Sequence, residues 1–175
     1  MKKLLTLIKT AAFLLLIAVT VVSCKKDDDD PDYVGTWVVL GTFYDGETNF
    51  QMKDVLMLSS GKFEEKMQLK NPVNNTWLDY LGMKGTLVVN GNKINVTITE
   101  IGLSAINPVT QTPTGMITYY KSTDTEFSEL VEGFGIDLTY ESEYSIQGSE
   151  ITIKTDLNGD GDFNDEDELT TYTRQ

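Results

Sequence analysis

Apolar and polar residues alternate with a period of two along most of the chain from Tyr33 onward. Ile94, Val96 and Ile98 are separated by single polar residues, and Leu138 begins a second run of the same kind. This alternation is typical of half-buried β-strands. The pattern predicts nine or ten strands and no amphipathic helix; the predicted strands span residues 34–43, 53–59, 62–69, 83–89, 92–100, 114–121, 125–131, 137–147, 149–155 and 168–174.

Short turn sequences rich in Gly, Asn and Ser separate these runs, as at Ser60-Gly61 and Asn158-Gly159. Tight hairpins between consecutive strands favour an all-β, up-and-down antiparallel meander. We expect this meander to close into a barrel, because closure removes the exposed strand edges. A β-sandwich built from the same strands is the alternative. The segments 70–82 and 101–113 lack regular alternation and are predicted to be loops at the barrel ends.

The first 23 residues carry lysines at the start and then an apolar stretch, Ala11–Val22. Twelve residues are too few to span a bilayer core ~30 Å thick, which needs about 20 residues in a helix. The segment 1–23 is therefore predicted to be a secretory signal. It ends in Val21-Val22-Ser23-Cys24, which resembles the bacterial lipobox. An ordinary signal with a chance cysteine is the alternative.

Acylation of Cys24 would anchor the mature chain to a membrane and place it outside the cytoplasm. The following segment to residue 32 contains two lysines, an acidic run and a proline, but no apolar residue, and is predicted to be a solvated tether. It resembles the surface-export signal of Bacteroidetes lipoproteins. We expect an outer-membrane lipid anchor at the cell surface; a plain spacer that leaves the protein at the periplasmic face is the alternative.

Composition excludes several functions. The chain has no histidine, and Cys24 is its single cysteine, so histidine-dependent catalysis, cysteine nucleophiles and histidine zinc sites are ruled out. Loss of the three signal-segment lysines leaves 11 cationic residues against 27 acidic ones, a net charge of −16. This charge argues against nucleic-acid binding. We expect one domain over residues 33–175, a monomer, and no enzyme activity.

The first predicted strand begins with Tyr33-Val34-Gly35-Thr36-Trp37, and the only arginine of the chain is Arg174 near the C-terminus. The Gly-x-Trp element resembles that of lipocalins and of the lipocalin-like lipoproteins of Bacteroidetes. The resemblance implies a barrel over residues 33–175 in which Trp37 fills the closed end and Arg174 packs over its ring. The Thr-Asp-Tyr element of classical lipocalins is absent, which weakens the implication of ligand transport in their manner.

The segment 156–168 matches the spacing of a calcium-binding loop. Oxygen ligands stand at positions 1, 3 and 5, a glycine at position 6, Phe163 at position 8 and a carboxylate at position 12. Seven acids and no cation in thirteen residues would repel one another without a counter-ion. We predict a structural Ca²⁺ site, with an acidic turn that binds no metal as the alternative. The predicted ligands are Asp156, Asn158, Asp160, Asp162, Asn164 and Asp167.

Other side chains are candidates for contacts with a ligand. Met57, Met67 and Met116 could line an adaptable apolar cavity, and Trp77 could stack on a ligand at the barrel mouth. Glu65 and Glu100 are in phase with apolar neighbours, which suggests two carboxylates inside the barrel. We therefore expect a module that binds a small apolar molecule or a glycan; an accessory subunit of a surface complex with another protein is the alternative.

Overall fold

The computed structural model describes residues 31–44, 49–156, 163 and 168–175, and Pro31–Gln175 form one compact unit. In these residues it contains nine strands and one helix. In chain order they are β1 (Gly35–Tyr44), β2 (Asn49–Ser59), β3 (Lys62–Lys70), β4 (Trp77–Asn90), β5 (Lys93–Ile106), β6 (Pro113–Lys121), α1 (Thr125–Phe134), β7 (Thr139–Gln147), β8 (Glu150–Thr155) and β9 (Leu169–Arg174). Among the described residues, no helix has the length and apolar character needed to cross a membrane.

All strand pairings are antiparallel, and eight strands close into an up-and-down barrel. The barrel runs from β1 to β5 and continues through β7, β8 and β9. It closes where β9 pairs with β1, through Trp37 opposite Arg174 and Val38 opposite Thr173. The predicted all-β barrel is thus confirmed, and the sandwich alternative is wrong.

Strand β5 is shared between two neighbours on one of its edges. Its first half, 93–97, pairs with β7, and its second half, from Glu100 to Ile106, pairs with β6. Strand β6 is therefore an addition to the barrel, and the wall formed by β7, β8 and β9 is shorter than the wall on the opposite side. Helix α1 connects β6 to β7 and contacts β5 and β6.

Three predictions about local structure were wrong. Residues 125–131 belong to α1 instead of a strand, and the predicted loops 70–82 and 101–113 contain the first part of β4 and the last part of β5. The helix buries Phe127 and ends at Gly135, which adopts the left-handed conformation (φ 64°) that glycine accepts at low cost. The helical spacing places Phe127, Leu130 and Val131 on one face of α1. Packing of this face against the barrel core stabilises the helix over a strand.

The barrel interior is built by alternation within each strand. In β2, the buried residues Asp54, Leu56 and Leu58 alternate with the half-buried Val55 and Met57. The same rule directs one face of every strand inward, since successive side chains of a strand point to opposite faces. The interior is therefore mostly apolar, and the carboxyl group of Asp54 is an exception within it.

Candidate functional site

The barrel encloses a cavity of about 320 Å³. Its wall combines apolar side chains from β2, β3, β4, β5 and β8 with a few polar groups from β3, β7 and β9. Small-molecule sites in proteins are usually concavities of about 300–1,000 Å³ with this composition. The lining residues used below are Leu56, Phe63, Glu65, Met83, Val96, Tyr140, Ser142, Ile153 and Tyr172.

Two carboxyl groups from neighbouring strands lie together beside the cavity, and Glu65 of this pair lines its wall. Asp54 on β2 is 9% exposed, and Glu65 on β3 lies beside Leu56, its register partner on β2. The hydroxyl of Tyr172 on β9 donates a hydrogen bond to Asp54 Oδ2 at 2.8 Å. Asp54 Oδ1 is buried and has no partner in hydrogen-bonding geometry. Glu65 itself lines the cavity, so that this pair forms a polar end next to the apolar side chains of the wall.

Burial controls the ionisation of the group. Burial raises the pKa of Glu65 well above its usual range, and the nearby charge and hydrogen-bonding of Asp54 raise it further. Burial also raises the pKa of Asp54, although the hydrogen bond from Tyr172 opposes this shift. Burial and the two carboxyl groups raise the pKa of both Tyr140 and Tyr172. The cavity therefore favours protonated Glu65 and neutral tyrosines.

Further polar groups stand towards the mouth of the cavity. The hydroxyls of Ser142 and Thr155 lie 2.7 Å apart, and Ser142 is almost fully buried. Asp137, which follows α1, and Asp156, at the end of β8, also line the cavity. Among the described residues, no lysine or arginine lines it. The cavity wall is consequently acidic at its mouth as well as at its polar end.

The opposite end of the barrel is closed by Trp37, which is 0% exposed. Its indole Nε1 donates to the carbonyl of Tyr33 at 2.8 Å, and the guanidinium of Arg174 stacks over its ring. The glycine at position 35 is required there, because a Cβ atom would lie 2.7 Å from Arg174 Nη1 and the backbone has φ of +153°. This is the arrangement that the family resemblance implies for Trp37 and Arg174.

The four residues predicted to contact a ligand are not brought together. Met67 faces inward but packs in the core, and Met57 faces outward between the buried Leu56 and Leu58. Met116 is 76% exposed on β6. The Trp77 ring lies 5.4 Å from the Lys53 ammonium and 5.7 Å from that of Lys70, whereas the cavity is lined by other residues. Strand phase turns Met57 away from the interior, and Met116 lies on β6, outside the barrel; a list of residue types reveals neither.

The prediction of two carboxylates inside the barrel identified one partner correctly. Glu65 is inside, but Glu100 follows a register shift in the β4–β5 pair and lies opposite Lys84 and Lys121. The second interior carboxyl belongs to Asp54, which the sequence analysis missed. Its alternation with Leu56 and Leu58 was the signal that could have identified it.

Most of the other predicted site residues lie outside the described residues. These are Cys24 and the calcium ligands Asn158, Asp160, Asp162, Asn164 and Asp167. Asp156, Phe163 and Glu168 are described, and Glu168 is buried at 3% exposure. Within the described ranges, no group of three or more acidic residues is placed to hold a metal ion. The calcium loop therefore stays a prediction.

Comparison with known proteins adds no family assignment, since no family model and no curated protein matches this chain. The closed eight-strand antiparallel barrel is consistent with a lipocalin-like fold.

Proposed function

We propose that this protein is a small-molecule binding module in which the barrel cavity holds a mostly apolar ligand. The observation that carries the proposal is the cavity of about 320 Å³, whose wall is largely apolar and contains a few polar groups. Burial of apolar surface supplies affinity at about 25 cal/mol per Å², and the polar groups would set the orientation of the ligand.

We further propose that the module is carried by a lipoprotein. Acylation at Cys24 would anchor it to the outer membrane, and the charged segment after it would hold the barrel away from the bilayer at the cell surface. Stable anchoring needs two or more fatty acyl chains, which contribute about 0.8 kcal/mol per buried CH₂. A Ca²⁺ ion in the loop between β8 and β9 would stabilise the fold. Both the lipid anchor and the calcium site are supported by the sequences of their segments.

Binding is tested with a matched pair of valine substitutions. Val96 is buried and lines the cavity, whereas Val88 on the neighbouring strand is 63% exposed. Val96→Phe should reduce the cavity volume and weaken the binding of 1-octanol, while Val88→Phe should bind it like the wild type. Isothermal titration calorimetry measures the binding. Circular dichroism and a thermal melt establish that both variants are folded.

Native mass spectrometry of protein purified from its own cells gives a second test that needs no variant. A retained small molecule, lost in Val96→Phe and kept in Val88→Phe, is the expected result. Failure of wild-type protein to retain any molecule and to bind 1-octanol would overturn the proposal. Co-purification of a stoichiometric protein in that case would favour the accessory-subunit alternative.

A further inference from the structure

We propose that the ligand of the barrel cavity is an organic amine, whose ammonium group binds Glu65, with the Asp54 carboxyl group behind it, while its apolar body occupies the rest of the cavity. This inference rests on the proposed binding function and specifies the chemical class of the ligand.

The charge of the lining determines the sign of the ligand. The ionisable side chains on the described cavity wall are Glu65, Asp137, Asp156 and two tyrosines, with no lysine or arginine among them. A carboxylate or phosphate ligand would bring a second negative charge into an apolar space, which is strongly unfavourable without a cation beside it. Fatty acids are therefore poor ligands for this cavity, although its apolar wall would suit their chains.

The polar end has more hydrogen-bond acceptors than donors. Asp54 is nine-tenths buried, no hydroxyl or amide donor reaches its Oδ1 atom, and the proton of the neighbouring Glu65 carboxyl is the donor beside it. Tyr172 supplies one donor, to Oδ2. An unsatisfied buried acceptor is costly, and a carboxylate more so than a neutral group. An ammonium group carries three N–H donors and one positive charge, so that it pairs with Glu65 at the cavity wall and offsets the charge of Asp54 behind it.

The remaining wall suits an alkyl or aromatic body. Leu56, Phe63, Met83, Val96 and Ile153 surround the space next to Glu65. Each methylene group that enters this space should tighten binding about fourfold until the cavity is filled. The carboxyl groups of Asp137 and Asp156 at the mouth would attract a cation in preference to an anion, and the acidic chain as a whole acts in the same direction.

Charge balance at the polar end is kept by an exchange of cations. The protonation of Glu65 described above avoids two adjacent buried negative charges. When an ammonium group binds, Glu65 releases its proton to the solvent, and the charge of the ammonium group takes the place of that proton. Alkylamines, like the lysine side chain, are cationic at neutral pH, so that the ligand brings this charge with it.

Three probes with the same alkyl chain test the inference by calorimetry at pH 7: n-octylamine, 1-octanol and octanoate. We expect octylamine to bind at least about tenfold more tightly than octanol, and octanoate at least about tenfold more weakly. Glu65→Gln should remove most of the preference for the amine and leave octanol binding within about threefold of wild type.

Glu64→Gln is the matched control, because Glu64 is the adjacent residue of β3, faces outward and lies 3.2 Å from the Lys66 ammonium. It should bind the three probes like the wild type. Asp54→Asn is a second variant that keeps the shape of the side chain, and it should also reduce the amine preference.

The outcomes separate the two proposals. Equal or tighter binding of octanol or octanoate, or an amine preference that survives both Glu65→Gln and Asp54→Asn, overturns the amine assignment and leaves the binding function intact. If none of the three probes binds, the binding function itself is wrong.

Discussion

The Cζ atom of Arg174 lies 4.1 Å from the centroid of the Trp37 ring, and the two residues face each other in the β1–β9 pair. The Nη1 atom of Arg174 donates to the carbonyl of Val34 at 2.8 Å, and Nη2 donates to that of Asp32. One side chain thus ties the last strand to the residues that precede the first. Because this pair closes the sheet, the contact stabilises the barrel as a whole.

Arg174→Ala is expected to lower the free energy of unfolding by about 2–3 kcal/mol, from the loss of two charged hydrogen bonds and one cation–π contact. Arg174→Lys should lower the free energy of unfolding by somewhat less, since lysine keeps the charge but lacks the planar guanidinium group that reaches two carbonyls. Urea unfolding measures both. A loss below about 0.5 kcal/mol in Arg174→Ala, within the range of ordinary surface substitutions, would show that the stacked geometry contributes little to stability.

Gly35→Ala should also destabilise the barrel, by about 1–3 kcal/mol, because the new Cβ would lie 2.7 Å from Arg174 Nη1 at a φ of +153°. Gly133→Ala is the contrasting control. Its Cβ would meet nothing within 4 Å, and it lies inside α1, where alanine is favoured over glycine by about 1 kcal/mol. The two substitutions should therefore shift the urea midpoint in opposite directions. Equal shifts would refute the steric explanation.

The sequence predicted the barrel and its closed end because both depend on local patterns. Alternation identifies strands one at a time, and short turns between them imply antiparallel neighbours. Nine of the ten predicted strands match observed strands with boundaries that differ by only a few residues at most ends. The contact between Trp37 and Arg174 followed from the family resemblance, since nothing local links positions 137 residues apart.

The cavity could not be predicted in the same way. Its polar end depends on which strands become neighbours and on register shifts such as that between Lys84 and Gly85. That shift places Glu100 opposite Lys84, whereas β2 and β3 continue in regular register and bring Asp54 beside Glu65. Helix α1 was also missed because tertiary contacts stabilise it. Its apolar face is short, and the burial of Phe127 in the core supplies the stability that the local pattern does not show.

The raised pKa of Glu65 predicts how stability changes with pH. A carboxyl group whose pKa is higher in the folded state keeps its proton there, and the folded protein binds more protons than the unfolded chain above pH 4.5. The free energy of unfolding should therefore fall as pH rises from about 4.5 towards the folded-state pKa, by up to ~1.4 kcal/mol per pH unit. Asp54, whose pKa is also raised, acts in the same direction.

Glu65→Gln removes this titration, so the variant should gain stability relative to wild type as the pH increases over that interval. Urea unfolding at several pH values between 4.5 and 8 measures the difference. Glu64→Gln provides the comparison, since it makes the same change on the outer face of β3. Identical pH profiles for the two variants would show that burial of Glu65 does not govern its ionisation.

Cys24→Ser should release the protein from the membrane fraction of the cells that produce it. The substitution removes the thiol that the lipobox resemblance assigns to acylation, and with it the anchoring energy of about 0.8 kcal/mol per buried CH₂. Fractionation followed by immunoblotting detects the change, with Ser23→Ala as a variant that keeps the cysteine. Retention of Cys24→Ser in the membrane fraction would contradict the lipoprotein assignment.

Calcium should raise the melting temperature of the whole barrel, although the predicted loop lies largely outside the described residues. The β8–β9 pair ends with Lys154 opposite Leu169, so that the predicted loop joins two directly paired strands. With a Kd of ~10⁻⁴ M, as for extracellular loops of this kind, millimolar Ca²⁺ stabilises the fold by about 1.4 kcal/mol. That free energy corresponds to a shift of roughly 3–6 °C for a domain of this size.

The measurement is a thermal melt in Ca²⁺ and in chelator, repeated on Asp160→Ala, which removes the predicted ligand at position 5, and on Asp137→Ala, which leaves the loop intact. The shift should vanish in the first variant and persist in the second; if wild type melts alike in both buffers, the segment is an acidic turn that holds no metal.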